Sequence, residues 1–196
     1  MTQPRTRAAQ RCASARKTAL PFAQGINATG MDQLSTVAGV SKRTLYTHFP
    51  SKDELVGAYL ESLVEPLLPA SPSSTQAALS PREQLLAIFD RKPAETTAPF
   101  RGCPFLNASV EVPDPGHSAH QLAVAYKKEF THRLTDIARQ AGAADPDKLA
   151  EQLALLFDGA AARGTALNDN RTGACARSIA ELVVDAALAE VGPPSS

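Results

Sequence analysis

The side chains best placed to do chemistry lie between Met31 and Lys52, in the run MDQLSTVAGVSKRTLYTHFPSK. Lys42, Arg43, Tyr46 and Thr47 bring together two cations, a phenol and a hydroxyl that also carries a methyl. Such a set suits phosphate oxygens and base edges. Helical spacing puts these four on one side, while Leu45 and Phe49, four apart, point the other way toward a core. Gly39 marks where a preceding helix must stop, and Val40 after it is apolar. Ser41 can accept a hydrogen bond from the free N–H groups that open the next helix, Lys42 to His48. Ser35, four residues before Gly39, is small, as a close helix crossing requires. Two short helices, a tight turn and a basic, aromatic second helix are a helix-turn-helix, whose second helix enters the major groove of DNA.

The rest of the chain must position that unit. A first helix is expected from about Arg11 to Gln24, with Ala13, Ala15, Ala19, Leu20 and Phe22 apolar; Pro21 should kink or shorten it. Gly25 ends it, and Thr29 or Gly30 can cap the helix that opens near Met31. Ser51 and Glu54 form a capping box for a longer helix carrying Leu55, Tyr59, Leu60, Leu63 and Val64, limited by Pro66 and Pro69. Residues 66–80, rich in Pro, Ser and Ala, read as a loop. A second capping box, Ser80-Pro81 with Glu83, opens a helix to about Arg91. Pro104 to Val112 reads as one brief helix, although Val110 and Val112 also suit a strand. Leu122, Tyr126, Phe130, Leu134 and Ile137 define an amphipathic helix from about Ser118 to Ala141. Asp145-Pro146 opens another, with Leu149, Leu153, Leu156, Phe157, Ala160, Ala161 and Gly164 as its stripe. The last helix, about Ala174 to Val191, is expected to turn Ile179, Leu182, Val183, Ala186 and Ala187 inward. The expected fold is all-α with about nine helices, divided into a DNA-binding head at 1–51 and a helical body at 52–196.

Composition narrows the function classes. The chain has 196 residues, 43% apolar and 20% charged, as in a globular protein. No apolar run is long enough to span a membrane, and the N-terminus lacks the apolar core of a secretory signal. Three cysteines (Cys12, Cys103, Cys175) without metal-ligand spacing suggest reduced thiols, hence a cytoplasmic location. The zero net charge hides an asymmetry. Residues 1–52 hold eight basic side chains against one acid, Asp32, a net +7; the remainder holds twelve against nineteen, a net −7. A basic head on an acidic body is expected if the head alone meets phosphate. A merely solvated basic tail is the plainer reading, which the adjacent helix-turn-helix disfavours.

Residues 31–55 carry a resemblance. Ala38-Gly39-Val40-Ser41, then Thr44-Leu45-Tyr46-Thr47-His48-Phe49, then Ser51-Lys52 resemble the DNA-binding signature of the TetR family of bacterial transcriptional regulators. The similarity covers roughly residues 20 to 60. It implies a three-helix DNA-binding head, a ligand-binding and dimerisation body, and a homodimer that reads a pseudo-palindromic operator and releases it when a small molecule binds. Carried over by position, Lys42, Arg43, Thr44 and Thr47 would reach base edges or nearby phosphates, and Tyr46, His48 and Lys52 phosphates. Thr29 joins that DNA-binding set. Lys52 also lies at a helix N-terminus, where backbone N–H groups favour anions. His48 has a structural alternative, capping the C-terminus of its helix. Pro21 and the short Phe22–Gly25 spacing depart from the family's first helix. Residues 101–115 resemble a stretch of some regulatory domains in the same family, which suggests a helix lining an effector cavity.

In the body, Phe89, Phe105, Asn107, Tyr126, Phe130 and Phe157 are aromatic or polar residues on inward faces, and are the candidate ligand contacts. For any one of them ordinary core packing is the competing reading. Cys103, near Arg101, is weighed as a redox thiol against an inert buried one. His117 and His120, with Asp114 or Glu111, are weighed as metal ligands against polar residues at a helix start. No metal or cofactor is expected. The last two helices could pack against their copies in a four-helix interface, or close the body's own core. No catalytic constellation appears, so no enzyme is expected. The rival readings are a small-molecule-binding or enzymatic helical protein with a basic appendage, and a sequence-blind nucleic-acid binder.

Overall fold

A computed structural model describes residues 24–70, 78–90, 101–169 and 171–189. Among the described residues the chain is all helical: α1 (Met31–Ala38), α2 (Lys42–His48), α3 (Lys52–Leu67), α4 (Pro81–Ala87) with a 3-10 turn at Ile88–Asp90, α5 (Pro104–Glu111), α6 (Ser118–Gln140), α7 (Pro146–Leu167) and α8 (Thr172–Ala189). The expected first helix lies outside the described residues except for Gln24, which sits in a turn.

Most helix ends follow their local chemistry. Gly39 closes α1 in the left-handed conformation, φ 63°, where a side chain would be strained. The Ser41 side chain accepts from Thr44 N–H at 3.0 Å and opens α2. Ser51 Oγ accepts from Glu54 N–H at 3.2 Å at the start of α3. The Ser80–Glu83 box is reciprocal: Glu83 Oε2 accepts from Ser80 N–H at 2.9 Å, and Ser80 Oγ accepts from Glu83 N–H. Asp145 accepts from Lys148 N–H at 3.0 Å to open α7. Pro66 lies inside the last turn of α3, so that helix stops one residue beyond it. The α4 helix tightens into a 3-10 turn near its expected end. Val110 and Val112 form no strand: Val110 is inside α5, and Val112 N–H donates to Ala108 O as its C-cap.

The described residues fall into two compact units. One reaches Val64 and takes in the segment up to Ala125; the other holds Glu65 to Pro93 and Tyr126 onward. In the first, Leu34, Leu45, Phe49 and Leu55 form a buried cluster flanked by Met31, Val40 and Ala58. In the second, α7 and α8 are the most extensively packed helix pair, and α8 also lies on α4 and its 3-10 turn. Arg82 grips Asp185 with two hydrogen bonds, 2.8 and 2.9 Å, and Arg177 pairs with Asp90 at 2.8 Å. Each arginine is held in its charged form, first by the hydrogen bond to its carboxylate partner.

The facing of α8 corrects the expectation. Its buried stripe is Ala176, Ala180 and Val184, while Ile179 and Leu182 are 46% and 73% exposed. Ala186 is exposed, and Val183 and Ala187 are half-buried. Close packing within the chain selects the small residues for its inner side and leaves the larger ones outside. On α7, Leu149, Leu153 and Gly164 of the expected stripe are buried, Leu156, Phe157, Ala160 and Ala161 are half-buried, and Leu155, outside the stripe, is 65% exposed.

Candidate nucleic-acid interface

The second helix of the pair, α2, is built as a buried hinge with a free outer face. Leu45 is 1% exposed and Phe49 5%, both anchored among Leu34 and Leu55. Phe49 N–H donates to Leu45 O at 2.8 Å, finishing the helix. Lys42, Arg43, Thr44, Tyr46 and Thr47 are exposed, and His48 is half-buried at the last helical position. The Thr47 hydroxyl donates to Arg43 O at 2.8 Å, and the Thr44 and Ser41 hydroxyls share a 2.8 Å bond. The Thr47 hydroxyl is thus engaged with the backbone of its own helix and the Thr44 hydroxyl with the Ser41 cap. Lys42 Nζ lies 2.8 Å from Asp32 Oδ1, and this hydrogen bond raises its pKa. Lys52, at the start of α3, reaches Asn27 O at 3.5 Å.

The structure therefore groups six of the eight expected DNA contacts on α2 and sets Lys52 at the next helix start. Thr29 departs from the group. It is 1% exposed, and its hydroxyl donates to Gly25 O at 2.7 Å inside the turn that leads into α1. Its role is to fix that turn; Gly30, without a side-chain bond, occupies the cap position. Sequence reasoning missed Asp32 as the partner of Lys42, although it is the one acid among the first 52 residues.

The candidate ligand contacts separate between the two units. Phe89, Tyr126, Phe130 and Phe157 meet in the second: Phe89 and Phe157 are edge-on at 6.2 Å between centroids, Phe130 and Phe157 lie at 4.9 Å, and Tyr126 and Phe130 at 6.0 Å. Lys127 Nζ stands 5.9, 6.0 and 5.9 Å from the Tyr126, Phe130 and Phe157 centroids, and pairs with Asp158. Tyr126 Oη donates to Leu67 O at 2.9 Å. Phe105 and Asn107 belong to the first unit. Phe105 is fully buried, and Asn107 Nδ2 donates to Arg101 O at 2.6 Å. Cys103 is a buried thiol at the N-cap of α5. His117 Nδ1 accepts from Ala119 N–H, and its Nε2 lies 3.4 Å from Asp53; His120 Nδ1 contacts Val112 O. Among the described residues no three His, Cys, Asp or Glu side chains come together as a metal cluster.

Comparison with known proteins agrees with this geometry. The family described as "Bacterial regulatory proteins, tetR family" matches residues 19–59, which include α1, α2 and the start of α3. A TetR transcriptional regulator of Streptomyces avermitilis is 34% identical, with a TM-score of 0.67 over 95% of this chain and 98% of that one. A TetR-family transcriptional regulator from Streptomyces coelicolor is 30% identical, with a TM-score of 0.75 over 95% and 97%. The HTH-type transcriptional regulator BetI of Rhizobium meliloti is 28% identical over 143 residues, 69% of this chain and 68% of its own length. In fold and in kinship along nearly its whole length, this chain belongs to the TetR family of DNA-binding transcriptional regulators.

Proposed function

We propose that the protein is a ligand-responsive repressor that binds a pseudo-palindromic operator as a homodimer through the outer face of α2. The observation that carries this reading is the division of α2: Leu45 and Phe49 buried, with Lys42, Arg43, Thr44, Tyr46 and Thr47 exposed beside them. The basic pair suits guanine acceptors and phosphates, and the threonine methyls suit thymine. Tyr46, His48 and Lys52 take phosphates. Two such heads would read half-sites about one helical turn apart, ~34 Å. The head corresponds to residues 1–51 and the ligand-binding and dimerisation body to 52–196.

The ligand site in this reading is the Phe89–Tyr126–Phe130–Phe157 cluster, where apolar rings adjoin one ion pair. A ligand that binds better to the conformation unable to span both half-sites shifts the population and lowers operator affinity. Dimerisation uses the outward side of α7 and α8, where Leu155, Ile179 and Leu182 are exposed.

The test is a gel-shift titration with fragments that the wild-type chain recovers from genomic DNA. Lys42→Ala and Tyr46→Ala should abolish the shift while the dimer persists. Unchanged affinity in both variants would overturn the assignment of the reading face.

A further inference from the structure

The turn that feeds α1 is gripped by a residue far along the chain. Glu111, the last residue of α5, takes hold of Asn27 twice. Its Oε2 accepts from Asn27 N–H at 3.0 Å, and its backbone carbonyl accepts from Asn27 Nδ2 at 2.9 Å. Gly25 lies directly against the same carboxylate: with φ +104°, a Cβ there would stand 2.8 and 2.9 Å from the two oxygens. Arg101 Nη2 approaches Glu111 Oε1 at 3.4 Å, so the carboxylate is neutralised beside a head that carries basic charge. The Asn27 carbonyl, on the other side, meets Lys52 Nζ at 3.5 Å. All of these residues lie in one compact unit.

We propose that Glu111 is a positioning residue for DNA binding: it clamps Gly25–Asn27, and through the Asn27 carbonyl it holds Lys52 where it meets phosphate. This rests on the reading above, in which α2 and Lys52 face DNA. Lys52 has three donors, of which Asn27 takes one and leaves the others for the DNA backbone. Loss of the clamp leaves the base-reading face of α2 intact. It removes the restraint on the turn and on one phosphate contact, so the loss should fall on affinity and its salt dependence.

The full chain is titrated at several salt concentrations with a genomic fragment recovered by the wild type, and with a random duplex of equal length. Glu111→Ala should weaken fragment binding by about tenfold, and should lower the salt slope by roughly one phosphate's worth. Glu111→Gln, which keeps an acceptor for Asn27 N–H, should bind within about threefold of wild type. Asn27→Ala, which removes the amide bond to the Glu111 carbonyl but keeps the backbone N–H bond to the carboxylate, should also weaken fragment binding and lower the salt slope, and the double variant, which loses both bonds, should be weaker than either. Leu34→Ala, which loosens the head's core at a residue outside the clamp, serves as control and should leave the salt slope unchanged.

Glu111→Ala at wild-type affinity and slope would overturn the proposal, as would a slope that Leu34→Ala lowers equally. If Glu111→Ala does not fold, Asn27→Ala decides: wild-type affinity and salt slope in that variant would overturn the proposal. Unchanged binding in both Lys42→Ala and Tyr46→Ala would instead overturn the DNA-face reading itself.

Discussion

Leu45 shows how one side chain can serve recognition without touching a partner. It is 1% exposed and stands between the exposed Thr44 and Tyr46. Truncating it removes a packed methyl cluster that sets how α2 leaves the head. Leu45→Ala should cost about 2–5 kcal/mol, read as a lower denaturant midpoint. A loss below ~1 kcal/mol would mean that the site collapses around the gap. At this scale much was legible in the sequence. Gly39 and Ser41 act through neighbours within four positions, and the four-residue spacing of Leu45 and Phe49 marks a single inward side, so local chemistry dictates them. Thr29 was misread because its burial comes from the turn around Gly25 rather than from any helical pattern. Asn27 and Glu111 were invisible as partners: they are 84 positions apart, and neither belongs to a motif that names the other.

Helix by helix, caps and stripes were the readable features. The Ser80–Glu83 box formed as its S-x-x-E spacing demands, and of the α6 stripe Tyr126, Phe130, Leu134 and Ile137 are buried while Leu122 is half-buried. The box also gives α4 a pH signature. Hydrogen bonds from the Ser80 hydroxyl, then from its backbone N–H, hold the Glu83 carboxyl below its ordinary range. A carboxyl depressed in the folded state adds stability above its unfolded pKa and loses it as pH falls through the folded value. Ser80→Ala should therefore lower the urea midpoint most near neutrality, and the gap to wild type should narrow on acidification below the carboxylate range. A gap that widens in acid would contradict this account of the cap. In α8 the reading failed for a physical reason. Periodicity assigns the largest apolar residues to the core, but close packing inside the chain took Ala176 and Ala180 and turned Leu182 outward.

For the molecule as a whole, that outward turn is the feature that asks for a partner. Ile179, Leu182 and Leu155 leave large apolar side chains in water, a cost that a second copy would remove. If the proposed dimer forms through this face, light scattering at micromolar protein should give twice the chain mass for the wild type and a single chain for Leu182→Glu, with helical content retained. A wild type at single-chain mass would overturn the dimer itself, and a variant still dimeric would place the interface elsewhere. Charge is the other property of this scale. The net +7 of residues 1–52 against −7 beyond them orients the chain toward DNA and disfavours contact of the remainder with phosphate.

The placing of the tyrosines has an optical consequence. The chain has three tyrosines and no tryptophan, so its intrinsic emission is tyrosine emission. Tyr46 stands exposed on α2, and Tyr126 is buried among Phe130, Phe157 and Lys127. Tyr59 lies in α3. The outer face of α2 and the aromatic cluster thus each carry their own fluorophore. Substituting phenylalanine for Tyr59 and for one of the two leaves the other as the single tyrosine reporter, without adding a dye to the protein.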